Sequence, residues 1–81
     1  MNSSAKRELR DFLTDALAKA GDSNGYSDCD SLFASGRLDS LSMMLLIVHL
    51  EHTFQIDFAK IDFEVSLIDS INDIESLIDA Q

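Results

Sequence analysis

The sequence predicts an all-α fold: a four-helix bundle of three main helices and one short helix, with a long loop between helices one and two. Two observations carry this expectation. Apolar residues recur at helical spacing in three separate segments, and a turn-rich stretch without period divides the first segment from the second. The chain contains no proline, and no internal repeat, low-complexity tract or linker interrupts it, so residues 1–81 read as one domain.

The first helix is expected from about Ala5 to Ala20. Leu9, Phe12, Leu13, Ala16, Leu17 and Ala20 lay one apolar stripe along it, Ser3 or Ser4 is placed to cap its start, and Gly21 is placed to end it in a left-handed turn. Residues 21–39 are turn chemistry, with Leu32, Phe33 and Leu38 as the anchors that could pin the loop to a core. So long a connection frees two helices from the hairpin arrangement of a short loop. The second helix is expected over Ser40–Phe54, with Asp39 or Ser40 as its N-cap. Met43, Leu46, Ile47, Leu50 and Phe54 fall on one face and supply core, while Leu41, Met44, Leu45 and Val48 fall mostly on the other, where polar residues would be usual. A domain this small has no deep interior for a whole helix. The second strip is therefore either a docking face or surface covered by the long loop. Phe58, Ile61, Phe63 and Val65 suggest a short helix at about Ala59–Val65. Ile71, Ile74, Leu77 and Ile78 predict the last helix, capped by Asp69 or Ser70, with Ser70 and Asp73 resembling a capping box.

Composition narrows function. Fifteen acidic residues against six basic ones give a net charge of −9, which repels a phosphate backbone and points to basic protein partners instead of nucleic acid. The longest apolar run, Met43–Val48, is six residues, far below the roughly 20 that span a bilayer. Charged residues from Lys6 to Asp11 stand where a signal peptide would need an apolar stretch, and the single Cys29 cannot close an internal disulfide. The expected compartment is the cytoplasm and the expected state a monomer.

Several chemistries fail on their residues. A calcium loop with Gly25 at its sixth position would put Ala20 and Ser31 where its two strongest ligands belong. His49 and His52 are three apart but lack an obvious third ligand, and a histidine near a helix C-terminus already suits the macrodipole, so no metal site is assigned. Cys29 lies between Asp28 and Asp30, which disfavour a thiolate. Ser40 has no visible base or oxyanion hole, so the chain shows no self-contained active site and is not expected to be an enzyme. Ser40 does sit at the mouth of a helix, after a long loop and beside the apolar strip, where a phosphate ester would meet the helix's partial positive charge. On these residues alone, a plain N-cap serine is the commoner role.

The stretch Leu38-Asp39-Ser40-Leu41 resembles the Asp-Ser-Leu site of the acyl carrier proteins. The resemblance extends through Leu32-Phe33, the Ser40–Phe54 helix with Glu51 near its end, Phe54 and Ile56, and Asp69-Ser70-Ile71, and covers about residues 5–80. It implies a four-helix bundle carrying 4′-phosphopantetheine on Ser40, attached from coenzyme A by a magnesium-dependent phosphopantetheinyl transferase. The arm's thiol would hold an acyl or aminoacyl cargo as a thioester, loaded by a ligase and passed to a downstream synthase or transferase, with no catalysis by the carrier. Asp39 and Leu41 would guide the transferase. Met44, Val48 and Glu51 would meet downstream enzymes, with Leu45 in the same recognition face.

Where carriers of fatty acid synthesis typically have carboxylates on this helix, the chain has Ser42, Leu45 and His52, and keeps Asp39 and Glu51. That points to a specialised discrete carrier and away from the housekeeping one. D-alanyl, aminoacyl and polyketide carriers share the site, and the residues do not choose among them. Two further readings stand beside it. One is an unmodified helical interaction module of the same fold docking through Leu41, Met44, Leu45 and Val48; the weaker one is a divalent-cation sensor.

Overall fold

The computed structural model describes residues 1–81. In chain order it has α1 (Ser3–Lys19), α2 (Ser40–Phe54), two single-turn 3-10 helices (Phe58–Lys60 and Val65–Leu67) and α3 (Ile71–Asp79), with no strand. Asn2 caps α1, not Ser3 or Ser4: its side-chain oxygen accepts the Ala5 N–H at 2.8 Å, so both serines lie inside the first turn. At the other end Gly21 has φ +82°. Its N–H reaches the Ala18 carbonyl at 3.0 Å, and the Asp22 N–H reaches that of Leu17 at 2.9 Å, which is a Schellman ending.

No helix or strand occurs between α1 and α2. Leu32, Phe33 and Leu38 are buried and fasten this connection to the core, as expected from their placement. Its polar groups are also partnered. Tyr26 donates its hydroxyl to the Arg10 carbonyl at 2.9 Å, and Arg37 grips both carboxylate oxygens of Asp22, at 2.8 and 3.1 Å, and the Gly25 carbonyl at 2.7 Å.

The core is one apolar cluster. Leu9, Leu13 and Leu17 of α1 meet Leu46 and Leu50 of α2 and Ile71, Ile74 and Leu77 of α3, with the loop anchors and Ile68 between them. Met43, Ile47 and Phe54 pack half-buried against its edge. No helix is long and apolar enough to cross a membrane.

The short helix expected at Ala59–Val65 is absent. Asp57 caps one 3-10 turn by accepting the Ala59 N–H at 3.0 Å; Ile61 then adopts extended dihedrals (φ −107°, ψ 141°), and a second turn forms at Val65. The reason lies in the apolar spacing. Ile61 and Phe63 would point to nearly opposite sides of one continuous helix, at about 100° per residue. Leaving the helix lets Phe58, Ile61, Phe63 and Leu67 all pack on the core, with the Phe58 and Phe63 rings edge to face at 5.9 Å. Three α-helices are thus present where four helices were expected.

Ser70 caps α3, accepting the Asp73 N–H at 3.1 Å. The Asp73 carboxylate makes no return bond, so the capping box is only half formed; Asp is a methylene shorter than the usual Glu. Asp69, the other candidate cap, faces the loop instead.

Candidate functional site

The site is built from the end of the long loop. Gly36 takes φ +82°, with its N–H on the Phe33 carbonyl at 3.0 Å. Leu38 returns its N–H to the Leu32 carbonyl at 2.8 Å and buries its side chain. Between them Arg37 is tied back to Asp22, at the loop's beginning. Their bidentate bond holds the Asp22 carboxyl below the usual carboxylate range, helped by the Asn24 N–H, and raises the Arg37 guanidinium above its own. The chain therefore reaches Asp39 along a fixed path.

Asp39 is the N-cap of α2. Its Oδ1 accepts the Ser42 N–H at 2.9 Å. That backbone donor, followed by the Ser42 hydroxyl, keeps the Asp39 carboxyl below its ordinary value, so it is ionised at neutral pH. Ser40 follows as the first helical residue. It is exposed, and its hydroxyl makes no hydrogen bond within the chain. Because Asp39 performs the capping, the Ser40 oxygen is free, and an ester on it costs the helix no internal bond. A phosphate ester there lies next to the unpaired N–H groups of the first turn.

Along α2, Leu41, Met44, Leu45 and Val48 are 63, 65, 54 and 49% exposed, so the long loop does not cover this strip. Glu51 is half-buried one turn beyond Val48. Spacings of three, four and seven residues put Met44, Val48 and Glu51 on one face and align Leu41 with Leu45 and Val48. The two histidines part company. His49 stacks on Phe12 of α1, with ring centroids 5.1 Å apart and planes at 18°, and its Nε2 is buried without a hydrogen-bond partner. His52 is exposed, and its carbonyl accepts the Gln55 side-chain amide at 2.9 Å.

A cleft of about 250 Å³ opens between α1 and the first turns of α2, and Ser40 itself is not in its lining. Phe12, Ala16 and Lys19 of α1 line one wall, and Asp39, Leu41 and Leu45 line the other. The resemblance implies a cavity between helices, but nothing in a helix's own periodicity tells which neighbour stands beside it, so the place of this cleft is not legible in the sequence. Sequence reasoning also missed Asp69 as the receiver of the loop. The signal available is a carboxylate directly before the N-cap of α3, which local chemistry offers equally as a cap.

The exposed, unbonded hydroxyl at a helix start fits a serine made to carry a phosphate ester. The sequence model of the phosphopantetheine attachment site matches residues 7–80. No curated protein and no solved structure is significantly similar to the chain. The domains of this family are generally non-catalytic and are the site at which 4′-phosphopantetheine is covalently attached. The match spans nearly the whole chain and shows that the protein belongs to the phosphopantetheine-attachment family, as a member of acyl carrier protein type.

Proposed function

We propose that the chain is a cytoplasmic carrier domain, monomeric on its own, with 4′-phosphopantetheine attached to Ser40. The observation that carries this reading is the Ser40 hydroxyl, exposed and free of internal bonds, on the first residue of a helix that Asp39 already caps. When attached, the arm supplies a thiol that holds an acyl or aminoacyl cargo as a thioester. The chain's own residues do the rest. The Asp22–Arg37 bond and buried Leu38 hold the loop end in place, Asp39 offers a carboxylate beside the serine, and the first turn of α2 presents N–H groups to the phosphate. The charge of Asp39 suits a cationic side chain on the phosphopantetheinyl transferase, and Leu41 gives that enzyme an apolar contact.

Downstream enzymes meet Met44, Leu45, Val48 and Glu51. This strip is apolar, with Glu51 as the carboxylate at its far end, which suits a partner groove lined mainly by apolar side chains. A specialised carrier serving a dedicated ligase, acyltransferase or synthase is favoured over a housekeeping one, because Ser42, Leu45 and His52 replace charge on this helix.

Ser40→Ala tests the attachment residue. The substitution removes no internal hydrogen bond, so stability is expected to stay within about 0.5 kcal/mol, while modification by a broad-specificity transferase is lost. A folded Ser40→Ala chain that is still modified overturns the assignment.

A further inference from the structure

We infer that the phosphopantetheinyl transferase docks across α1 as well as α2, seating one large apolar side chain in the cleft between the two helices and setting basic residues against Asp15 and Asp39 on its rim. This rests on Ser40 being the attachment residue. A standard protein interface takes in roughly 20–30 residues on each side, more than the exposed face of one fifteen-residue helix supplies. An enzyme working at Ser40 therefore extends onto a neighbouring element. Asp39 and Leu41, the chain neighbours of Ser40, both line the α1–α2 cleft, whereas no cleft on the protein is lined by a residue of α3.

The cleft has the size and the walls for a side chain. An apolar cavity of about 150 Å³ takes up benzene, so about 250 Å³ receives a phenylalanine or leucine side chain. It also falls below the roughly 300–1,000 Å³ of typical small-molecule pockets. Phe12 and Ala16 form one wall, and Leu41 and Leu45, each more than half exposed, form the other and have apolar surface left to cover. Phe12 is already stacked on His49, so its wall is ordered before a partner arrives.

Charge selects the partner. Asp15 and Asp39 border the cleft, and Lys19 is its one cation. The Lys19 ammonium lies 3.0 Å from Asp15 in a pair whose side chains are 78 and 65% exposed. Such surface pairs are weak, so Asp15 stays open to a cation from outside. Glu8, exposed and one turn before Phe12 on the same helix face, extends the negative edge. A transferase binds coenzyme A, whose phosphates require cations around its active site. That cationic surface complements this edge.

The experiment follows arm attachment to the full chain by intact mass, with a broad-specificity transferase, magnesium and saturating coenzyme A, over a range of carrier concentrations. Asp15→Lys and Ala16→Leu, which fills the cleft, are each expected to raise KM about fivefold with kcat held within about twofold. Ala20→Leu, at an exposed position on the same cleft, gives the filling test if Ala16→Leu lowers the helical circular dichroism. Lys19→Glu removes the one rim cation and is expected to lower KM about threefold, a gain that a damaged fold does not produce. Asp62→Lys, exposed and outside the cleft, changes net charge as Asp15→Lys does and is expected to leave KM within about twofold. An unchanged KM in Asp15→Lys or in the filled cleft, no fall in Lys19→Glu, or an equal rise in Asp62→Lys overturns docking across α1 and, with Ser40 still modified, leaves the attachment reading intact. Failure of the native chain to be modified overturns both.

Discussion

The Asp69 carboxylate, at the entrance to α3, receives the Phe33 N–H at 2.7 Å from thirty-six residues earlier in the chain. Its Oδ1 also accepts the Ala34 N–H at 3.0 Å, its Oδ2 accepts the Ser31 hydroxyl at 2.6 Å, and its backbone carbonyl takes the Leu32 N–H at 2.8 Å. One residue thus fastens the middle of the long loop to the start of the last helix. The same loop, fixed there and again by Asp22 and Arg37, delivers Ser40 to its place.

Asp69→Ala is therefore expected to destabilise the fold by about 1–3 kcal/mol, because it strips partners from donors at the buried Phe33 anchor. For a chain of this length that corresponds to a fall in Tm of roughly 4–8 °C for each kcal/mol. Asp69→Asn keeps one acceptor oxygen and is expected to lose less. Thermal unfolding followed at 222 nm measures both, and an unchanged Tm for Asp69→Ala contradicts the role given to this carboxylate.

Acid weakens the same contacts. Burial alone would raise the Asp69 carboxyl, but the Ser31 hydroxyl and the Ala34 and Phe33 N–H groups outweigh it and hold it below the usual carboxylate range. A carboxyl depressed in the folded state contributes stability above its unfolded value, near about 3.9, and that contribution is lost as pH falls through the folded value. Asp22 and Asp39 are depressed as well, so they act in the same direction. Loss of net negative charge acts oppositely by relieving self-repulsion. The comparison that isolates the contact is native against Asp69→Asn. The gap in Tm between them is expected to be constant from pH 7 to about 5 and to close below about 4; a gap that widens in acid contradicts the assignment.

The turn before the site carries its own prediction. Gly36 has φ +82°, and a Cβ built there meets no atom within 4 Å. Gly36→Ala consequently meets only backbone strain, about 1–2 kcal/mol, visible as a lowered Tm with unchanged helicity. A stabilised variant would show that the turn relaxes to another conformation.

Much of this was legible in the sequence, and the limits have physical reasons. The α2 boundaries and the burial of Leu32, Phe33 and Leu38 follow from capping chemistry and apolar placement, which are local. Asn2 was passed over because three polar residues in a row can each cap, and only geometry selects one. The stretch after Asp57 was read as one helix because Phe58 and Ile61 have helical spacing. Phe63 breaks that period, and its packing against Phe58 decided the outcome. The contacts of Asp69 and the cleft between α1 and α2 depend on residues far apart in the chain, which no periodicity encodes.

In the proposed reading partners dock on the exposed strip of α2, and that docking is then largely apolar. Raising salt from low to physiological levels is expected to weaken binding to a downstream enzyme only modestly. Met44→Ser, at a residue 65% exposed, is expected to lower that affinity while stability stays within about 0.5 kcal/mol. Titration calorimetry at two salt concentrations measures both effects, and a steep loss with salt shows that charge, not the apolar strip, governs docking.

The central claim is that Ser40 carries the arm. The most direct measurement is the intact mass of the native chain after incubation with coenzyme A, magnesium and a broad-specificity phosphopantetheinyl transferase, followed by peptide mapping of the modified residue. The expected result is one added phosphopantetheinyl group, mapped to Ser40. A folded chain that gains no mass, or gains it at another residue, contradicts the account, and the first of these outcomes leaves an unmodified interaction module docking through the strip on α2.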